Sequence, residues 1–161
     1  AASSILDSED TKEDTILKLK KIAENSVDIM GIGLYSLGKH RKTINSDQKK
    51  TYNKLFREYF LKSFSNRLVD YSDPKIEIQS EEKVSDKYTI VRSLLVATDK
   101  RPEVKLDWRV YTKDPKNPLI RDLVIEGLSL ARTQKEEFNS IIVSNNNNLD
   151  ALFNNLREFT K

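Results

Sequence analysis

The chain of 161 residues contains no cysteine and a single histidine, His40. The absence of thiols excludes disulfides, cysteine nucleophiles, iron–sulfur clusters and zinc sites with cysteine ligands. A single histidine excludes a two-histidine metal site and leaves one candidate for an imidazole base. His40 has basic neighbours and no nearby carboxylate to orient it, so we expect an exposed residue between two helices. The sequence therefore predicts no catalytic residue, no metal site and no cofactor.

The sequence also lacks long apolar runs and a large excess of charge. No segment approaches the roughly 20 apolar residues that cross a bilayer, which predicts a soluble chain. The net charge of +3 is small for a nucleic-acid-binding domain, and no glycine-rich phosphate loop is found. The basic cluster 39–42, with Lys49 and Lys50, remains available for an anionic headgroup or an acidic partner. The first residue is alanine rather than methionine, as expected if a signal peptide has been removed.

Hydrophobic residues make up only 37% of the chain, but 6 Phe, 6 Tyr and 1 Trp argue against disorder. The length predicts a single domain. We expect residues 1–10 to be frayed or disordered and residues 11–161 to form that domain. A helical pattern begins at Thr11, and a second apolar segment covers 28–38.

The clearest helix is predicted from about Asp47 to Tyr71. Asn45 and Gln48 are placed to form a capping box at its start. Its apolar face is unusually aromatic, with large side chains three or four positions apart: Tyr52, Phe56, Tyr59, Phe60, Phe64 and Tyr71.

The apolar period changes from 3.6 to 2 after Pro74, which predicts strands. Four strands are expected, around Ile76, at 88–98, at 104–111 and at 119–126. Short turn-rich linkers between them favour antiparallel pairing. Two more helices follow, at 128–143 and from Leu149. The sequence thus predicts an α+β fold, one sheet packed by N-terminal and C-terminal helices.

The chain resembles the MlaC family, also called toluene-tolerance proteins. The most characteristic motif is Asp122-Leu123-Val124-Ile125-Glu126-Gly127-Leu128-Ser129-Leu130, where the family has a strand ending D-x-x-x-E-G-V-S-L. Further matches in the same order are Leu37-Gly38-Lys39, Gln48, Leu68 with Tyr71, Leu106-Asp107-Trp108-Arg109-Val110, and 149–156. The sequence departs from the family pattern at Arg41, at Gln134 and at 112–118.

The resemblance implies a periplasmic phospholipid carrier of Gram-negative bacteria with no enzymatic activity. Its cargo would be phospholipid, and it is expected to be a monomer. Its partners would be an inner-membrane ABC transporter with an MCE-domain subunit and an outer-membrane lipoprotein–porin complex. The implied fold is a curved antiparallel sheet wrapped by helices around an apolar cavity. Such a carrier maintains the lipid asymmetry of the outer membrane.

Strand alternation and helix faces provide candidates for the lipid-binding residues. These are Leu34, Leu37, Phe56, Phe60, Phe64, Val104, Leu106, Trp108, Leu123, Ile125, Leu128, Phe138, Ile141 and Ile142. Periodicity alone does not distinguish the lining of a cavity from an ordinary core. Two other functions remain open: a small-ligand-binding or enzymatic domain with a cone-shaped fold of the nuclear-transport-factor type, and a module that binds only proteins. The hypothesis of an enzyme or small-ligand binder predicts titratable groups inside the cavity. The hypothesis of a protein-binding module predicts a solid core with no cavity.

Overall fold

The computed structural model describes residues 11–69 and 75–161, excepting the side chains at 68 and 69. The expectations for residues 1–10 and for Tyr71 lie outside these residues. The helices are α1 (Lys12–Ser26), α2 (Ile29–Ser36), a 3-10 helix (Gly38–Lys42), α3 (Ser46–Val69), α4 (Leu130–Ser144) and α5 (Leu149–Thr160).

Each α-helix begins at a side chain that accepts a hydrogen bond from a free backbone N–H of the first turn. The capping side chains are Thr11, Asp28, Asn45, Ser129 and Asn148. At α3 the predicted capping box is present, because Asn45 Oδ1 accepts from Gln48 N at 2.8 Å and Gln48 Oε1 accepts from Asn45 N at 3.1 Å. The predicted capping box of α3 is therefore confirmed.

The sheet is an antiparallel meander in which each strand pairs with its neighbour in sequence. Its strands are β1 (Ile76–Lys83), β2 (Tyr88–Leu95), β3 (Val104–Tyr111), β4 (Leu119–Ile125) and β5 (Leu128–Ser129). Bulges interrupt the register between β1 and β2 and between β3 and β4. The predicted α+β class is confirmed. The sheet has a fifth strand, β5, which was not predicted because two residues are too few to show an alternating pattern.

A tight turn joins β4 to β5 and leads directly into α4. Glu126 and Gly127 both have positive φ, 49° and 82°, which is the backbone of a two-residue hairpin turn and suits glycine at the second position. Asp122 then fixes the start of α4, since its carboxylate accepts from Ser129 Oγ and, at 3.0 Å, from Ala131 N. The acidic, glycine and serine positions of the 122–130 motif therefore hold this turn together.

The main core lies among the helices. Helix α3 packs on α1, α2 and α5, while α1, α2 and α4 pack on β4. The largest fully buried side chains include Tyr52, Phe56 and Phe138, and Phe56 meets Phe138 edge to face at 6.1 Å. The predicted position of His40 between two helices is correct, but the predicted exposure is wrong. The 3-10 helix turns His40 inward to bond Asn139 Oδ1 on α4 at 2.9 Å.

Candidate functional site

One face of the sheet is turned toward the helices and is almost entirely apolar. Residues on one face of a strand alternate, and cross-strand partners share a face. The register pairs Val91 with Trp108 and Trp108 with Leu123, while Ile120 on the same face packs against the helical core. This inner face of β2, β3 and β4 carries Thr89, Val91, Ser93, Leu95, Val104, Leu106, Trp108, Val110, Ile120, Leu123 and Ile125.

The polar groups in the middle of this face bond to one another. Ser93 is 2% exposed, accepts from Trp108 Nε1 at 2.9 Å and donates to the Leu106 carbonyl at 2.9 Å. Both side chains are thereby satisfied without water or ligand, which avoids the penalty of a buried unpaired group. The sheet therefore offers the helices an apolar surface, because the two polar groups in its middle are already hydrogen-bonded within the sheet.

Much of this inner face is only half-buried, although it points at the helical layer. Val91, Val104, Trp108, Leu123 and Ile125 are all of intermediate exposure. On the helical side, three large apolar side chains are also half-buried: Phe60, Phe64 and Ile141. These two sets of half-buried apolar side chains, one on the sheet and one on the helices, are here called the apolar walls. Large apolar side chains that stay partly exposed are the kind of surface that a site for an apolar ligand requires.

The structure places the sequence-predicted lining residues in three different surroundings. Half-buried are Phe60, Phe64, Val104, Trp108, Leu123, Ile125 and Ile141. Buried are Leu37, Phe56, Phe138 and Ile142 in the helical core and Leu106 on the sheet. Exposed are Leu34 and Leu128, at 38% and 58%.

Val91 shares the inner face but was absent from the predicted lining residues. The sequence 88–98 has apolar residues on both faces, so alternation alone did not show which face points inward. Its pairing with Trp108 settles the question. The signal was therefore the register between strands, which sequence patterning does not supply.

A charged cluster fastens the helical layer to one end of the sheet. Arg121 Nε donates to Asp28 Oδ2 at 2.8 Å, and Arg121 also donates to Tyr88 Oη at 2.6 Å. The guanidinium lies 4.0 Å from the centre of the Tyr111 ring, and Arg109 lies 4.2 Å from that of Tyr88. Burial alone would lower the pKa of Arg121, but the bonds to Tyr88 and Asp28 outweigh it and raise that pKa. The cluster therefore links the start of α2 to strands β2 and β4.

Metal sites and membrane-spanning helices are both absent from residues 11–69 and 75–161. Nowhere in these residues do three or more acidic or histidine side chains gather as they would around a metal ion. In the same ranges, no helix combines the length and apolar character that a bilayer span needs.

Comparisons with known proteins agree with this architecture. The model of the MlaC protein family matches residues 2–158. A solved structure of a phospholipid-binding protein from Ralstonia solanacearum, in complex with a phospholipid, is similar to this chain with a TM-score of 0.78 and 20% sequence identity. That similarity covers 99% of this chain and 89% of that chain. No curated protein sequence matches. Because the family match spans nearly the whole sequence, the chain belongs to the MlaC family.

Proposed function

We propose that this protein binds and carries a phospholipid, with the acyl chains held between the inner face of the sheet and helices α3 and α4. The observation that carries the proposal is the pair of half-buried apolar walls, with Trp108 and Leu123 on the sheet and Phe60 and Phe64 on α3. The similarity in fold to a protein solved with a phospholipid supports it. The seven half-buried candidates together with Val91 form the proposed lining.

The energetics of transfer explain why a protein sleeve is needed. Each buried CH₂ group is worth about 0.8 kcal/mol, so two acyl chains exposed to water cost on the order of 20 kcal/mol or more. A bilayer hides the same chains equally well, so transfer between bilayer and protein is nearly neutral and reversible. A carrier of this kind needs no cofactor and no bond-making chemistry.

The family assignment extends the proposal to location and partners. We place the protein in the periplasm of a Gram-negative bacterium, where it would move lipid across the aqueous gap. Its partners would be the inner-membrane ABC transporter with an MCE-domain subunit and the outer-membrane lipoprotein–porin complex. The biological result would be the maintenance of lipid asymmetry in the outer membrane. Membership of the family supports each of these statements.

Mass spectrometry of the purified protein under native conditions tests the central claim. We expect a complex with a mass increment of one phospholipid, and extraction with organic solvent should recover that lipid. Lipid-free protein, prepared in detergent and then mixed with phosphatidylglycerol vesicles, should regain the increment. A chain that carries no phospholipid after this exposure would contradict the proposal.

A charge placed in the proposed lining tests where the lipid lies. Phe60→Glu or Ile125→Glu should abolish lipid loading, because a carboxylate would be buried among acyl chains without a partner. The matched control is Val84→Glu, whose position is 52% exposed and outside the inner face. Circular dichroism identifies variants that remain folded. A folded Phe60→Glu protein with wild-type lipid occupancy would exclude this location.

The chemistry of the inner face favours a carrier over an enzyme on a similar sheet. The enzyme requires titratable groups directed into the cavity, whereas β2, β3 and β4 present none on this face. The two polar groups at its centre, on Ser93 and Trp108, already bond to each other. We therefore propose binding and transport rather than catalysis.

A further inference from the structure

The basic residues of this chain are unevenly distributed. Residues 38–57 contain 7 basic and 1 acidic residue, a net charge of +6. The other residues contain 21 basic and 24 acidic residues, a net charge of −3. The segment includes the 3-10 helix and the first half of α3, so one corner of the molecule holds the excess charge.

These cations are solvated rather than used in packing. All seven are exposed: Lys39, Arg41, Lys42, Lys49, Lys50, Lys54 and Arg57. Arg57 pairs with Glu24 at 3.1 Å, and the other six have no ion pair within the part of the chain that the structure describes. Structural stability therefore does not account for six unneutralised charges in one place.

Large apolar side chains protrude from the adjoining helix α2. Met30 is 66% exposed, Tyr35 is 40% exposed and Leu34 is 38% exposed. Tyr52 Oη on α3 donates to the Gly33 carbonyl at 2.6 Å, so the middle of α2 crosses the half of α3 that carries Lys49, Lys50 and Lys54. Met30, Lys54 and Arg57 line one cleft of about 500 Å³. Glu24 and Asp28 also line it, but both carboxylates are already paired with arginines. Apolar and basic side chains thus share this corner.

We propose that this basic–apolar corner, formed by α2 and the first half of α3, docks on an anionic phospholipid bilayer. Lysines near an anionic surface each add about 1 kcal/mol of attraction, and Met30, Leu34 and Tyr35 can enter the headgroup layer. Five of the seven cations are lysines, which suit a diffuse charged surface. Protein interfaces instead favour arginine and are poor in lysine. The composition therefore favours a bilayer over an acidic protein.

The docking surface shares no residue with the proposed cargo site. On α3 the nearest of the three lysines to be replaced, Lys54, precedes the lining residue Phe60 by 6 residues, which is about 9 Å along the helix axis. Docking would bring the carrier to a lipid surface without occupying its apolar walls. The inference therefore goes beyond the proposed function, and the two can fail independently.

Vesicle flotation tests the charge dependence. The full chain is mixed with vesicles of phosphatidylcholine and phosphatidylglycerol at 70:30, and with vesicles of phosphatidylcholine alone. We expect binding to the anionic vesicles only, lost in high salt. The triple variant Lys49→Gln, Lys50→Gln, Lys54→Gln should bind roughly a hundredfold more weakly. The matched control is Lys83→Gln, Lys87→Gln, Lys113→Gln, which removes three exposed charges elsewhere. Equal loss in both triple variants would overturn the proposal.

Insertion of the apolar side chains is tested with a label at Met30. Because the chain has no cysteine, Met30→Cys accepts a single environment-sensitive fluorophore. Its emission should shift to the blue with anionic vesicles, whereas a label at Val84→Cys should not shift. Polyglutamate serves as the acidic-protein probe. In the contrary outcome, the protein binds polyglutamate at the same concentrations at which it binds anionic vesicles, while the Met30→Cys label shows no blue shift on those vesicles. That result would assign the surface to an acidic protein and overturn bilayer docking.

Native mass spectrometry of the same preparations separates the two proposals. The lysine triple variant should keep wild-type lipid occupancy, because none of its positions belongs to the proposed lining. A protein that docks on anionic vesicles but never holds lipid would contradict the carrier function alone. A protein that loads lipid but binds anionic and neutral vesicles equally would contradict docking alone.

Discussion

At the scale of the residue, the inner face depends on how a few polar groups are satisfied. Ser93 is almost fully buried and bonds both the only tryptophan and the Leu106 carbonyl. Tyr52 is 1% exposed and bonds a backbone carbonyl of α2. In both cases the hydroxyl hydrogen-bonds a polar group that would otherwise be buried without a partner. Removing that hydroxyl should therefore lower the free energy of unfolding.

Replacing Ser93 by alanine should destabilise the protein by about 1–3 kcal/mol, because the Trp108 N–H loses its acceptor in an apolar setting. Urea unfolding measures the change. Since Trp108 is the only tryptophan, its emission reports the altered surroundings directly. Ser80→Ala, at an exposed position of β1, is the control and should change stability by less than about 0.5 kcal/mol. Equal effects at the two positions would show that the Ser93 bond is unimportant.

Because Tyr52 is buried, we expect the protein to lose stability in alkaline solution. Burial, and secondarily the neighbouring Tyr59, raises the pKa of the Tyr52 phenol above its usual value. The unfolded chain ionises near pH 10 while the folded protein keeps its proton, so stability is retained below pH 10. Above that pH it falls by about 1.4 kcal/mol per unit.

Tyr52→Phe should remove this part of the alkaline slope and cost about 1 kcal/mol at neutral pH for the lost hydrogen bond. Unfolding curves at pH 7 and at several values above 10 measure both effects. Tyr35→Phe is the control, since Tyr35 is exposed and should leave the slope unchanged. An unchanged slope in Tyr52→Phe would refute the assignment.

At the scale of the element, α2 can cross close to α3 because Gly33, at the crossing, has no side chain. A Cβ added at Gly33 would lie 2.7 Å from the ring of Phe56, which is buried in the helical core. Alanine in place of glycine usually stabilises a helix by up to about 1 kcal/mol. Here close approach of the two helices reverses the sign.

We expect Gly33→Ala to destabilise the protein by about 1–3 kcal/mol, as overpacking of a buried contact does. The double variant Gly33→Ala, Phe56→Leu should lose less stability than the sum of the two single variants, because a smaller side chain at 56 makes room for the methyl group. Thermal or urea unfolding of all four proteins completes the cycle. Strict additivity would show that the two positions do not meet.

The elements also show which parts of the molecule can be read from sequence. Helix starts follow from local hydrogen bonds, so the capping box of Asn45 and Gln48 predicted the start of α3 correctly. Strand alternation likewise identified one face of β3. The burial of His40 depends on Asn139, nearly a hundred residues away, and local patterning contains no such information.

The candidate site could be predicted only in part, for a related reason. Periodicity tells which side of a helix is apolar, but it gives no distance between that side and the opposing layer. Phe56 and Phe60 lie one turn apart on α3, yet the first is buried in the helical core and the second is half-buried. The separation of core from lining is set by how the helices and the sheet come together.

At the scale of the whole molecule, the protein combines a well-packed helical layer with a sheet whose apolar inner face is only half-buried in places. Helices α1, α3 and α5 build a dense core around Tyr52, Phe56 and Phe153. Leu106 is buried on the sheet, whereas Trp108 two residues later remains half-buried. The dense layer can hold the fold together without full burial of the inner face of the sheet.

If phospholipid is held between the apolar walls, as proposed, removing the lipid should weaken the fold. A ligand at a hundred times its Kd stabilises the folded state by about 2.7 kcal/mol. For a domain of this size that corresponds to a fall in Tm of about 5–10 °C on delipidation. Trp108 emission should shift to the red as water replaces acyl chains, and reloading should reverse both changes. Identical Tm and emission in loaded and lipid-free protein would contradict an occupied interior.

The meander order of the strands also has a consequence for the order of folding. Each strand pairs with its immediate neighbour in sequence, so the sheet closes only short loops and can assemble quickly. The helical core instead joins α3 to α5, whose residues are separated by about a hundred positions, as the contact of Tyr52 with Phe153 illustrates. Because closing a long loop costs more entropy than closing a short one, we expect the closing of the helical layer to be the slower step. A chain lacking the α5 segment should form the sheet and stall before its core is complete.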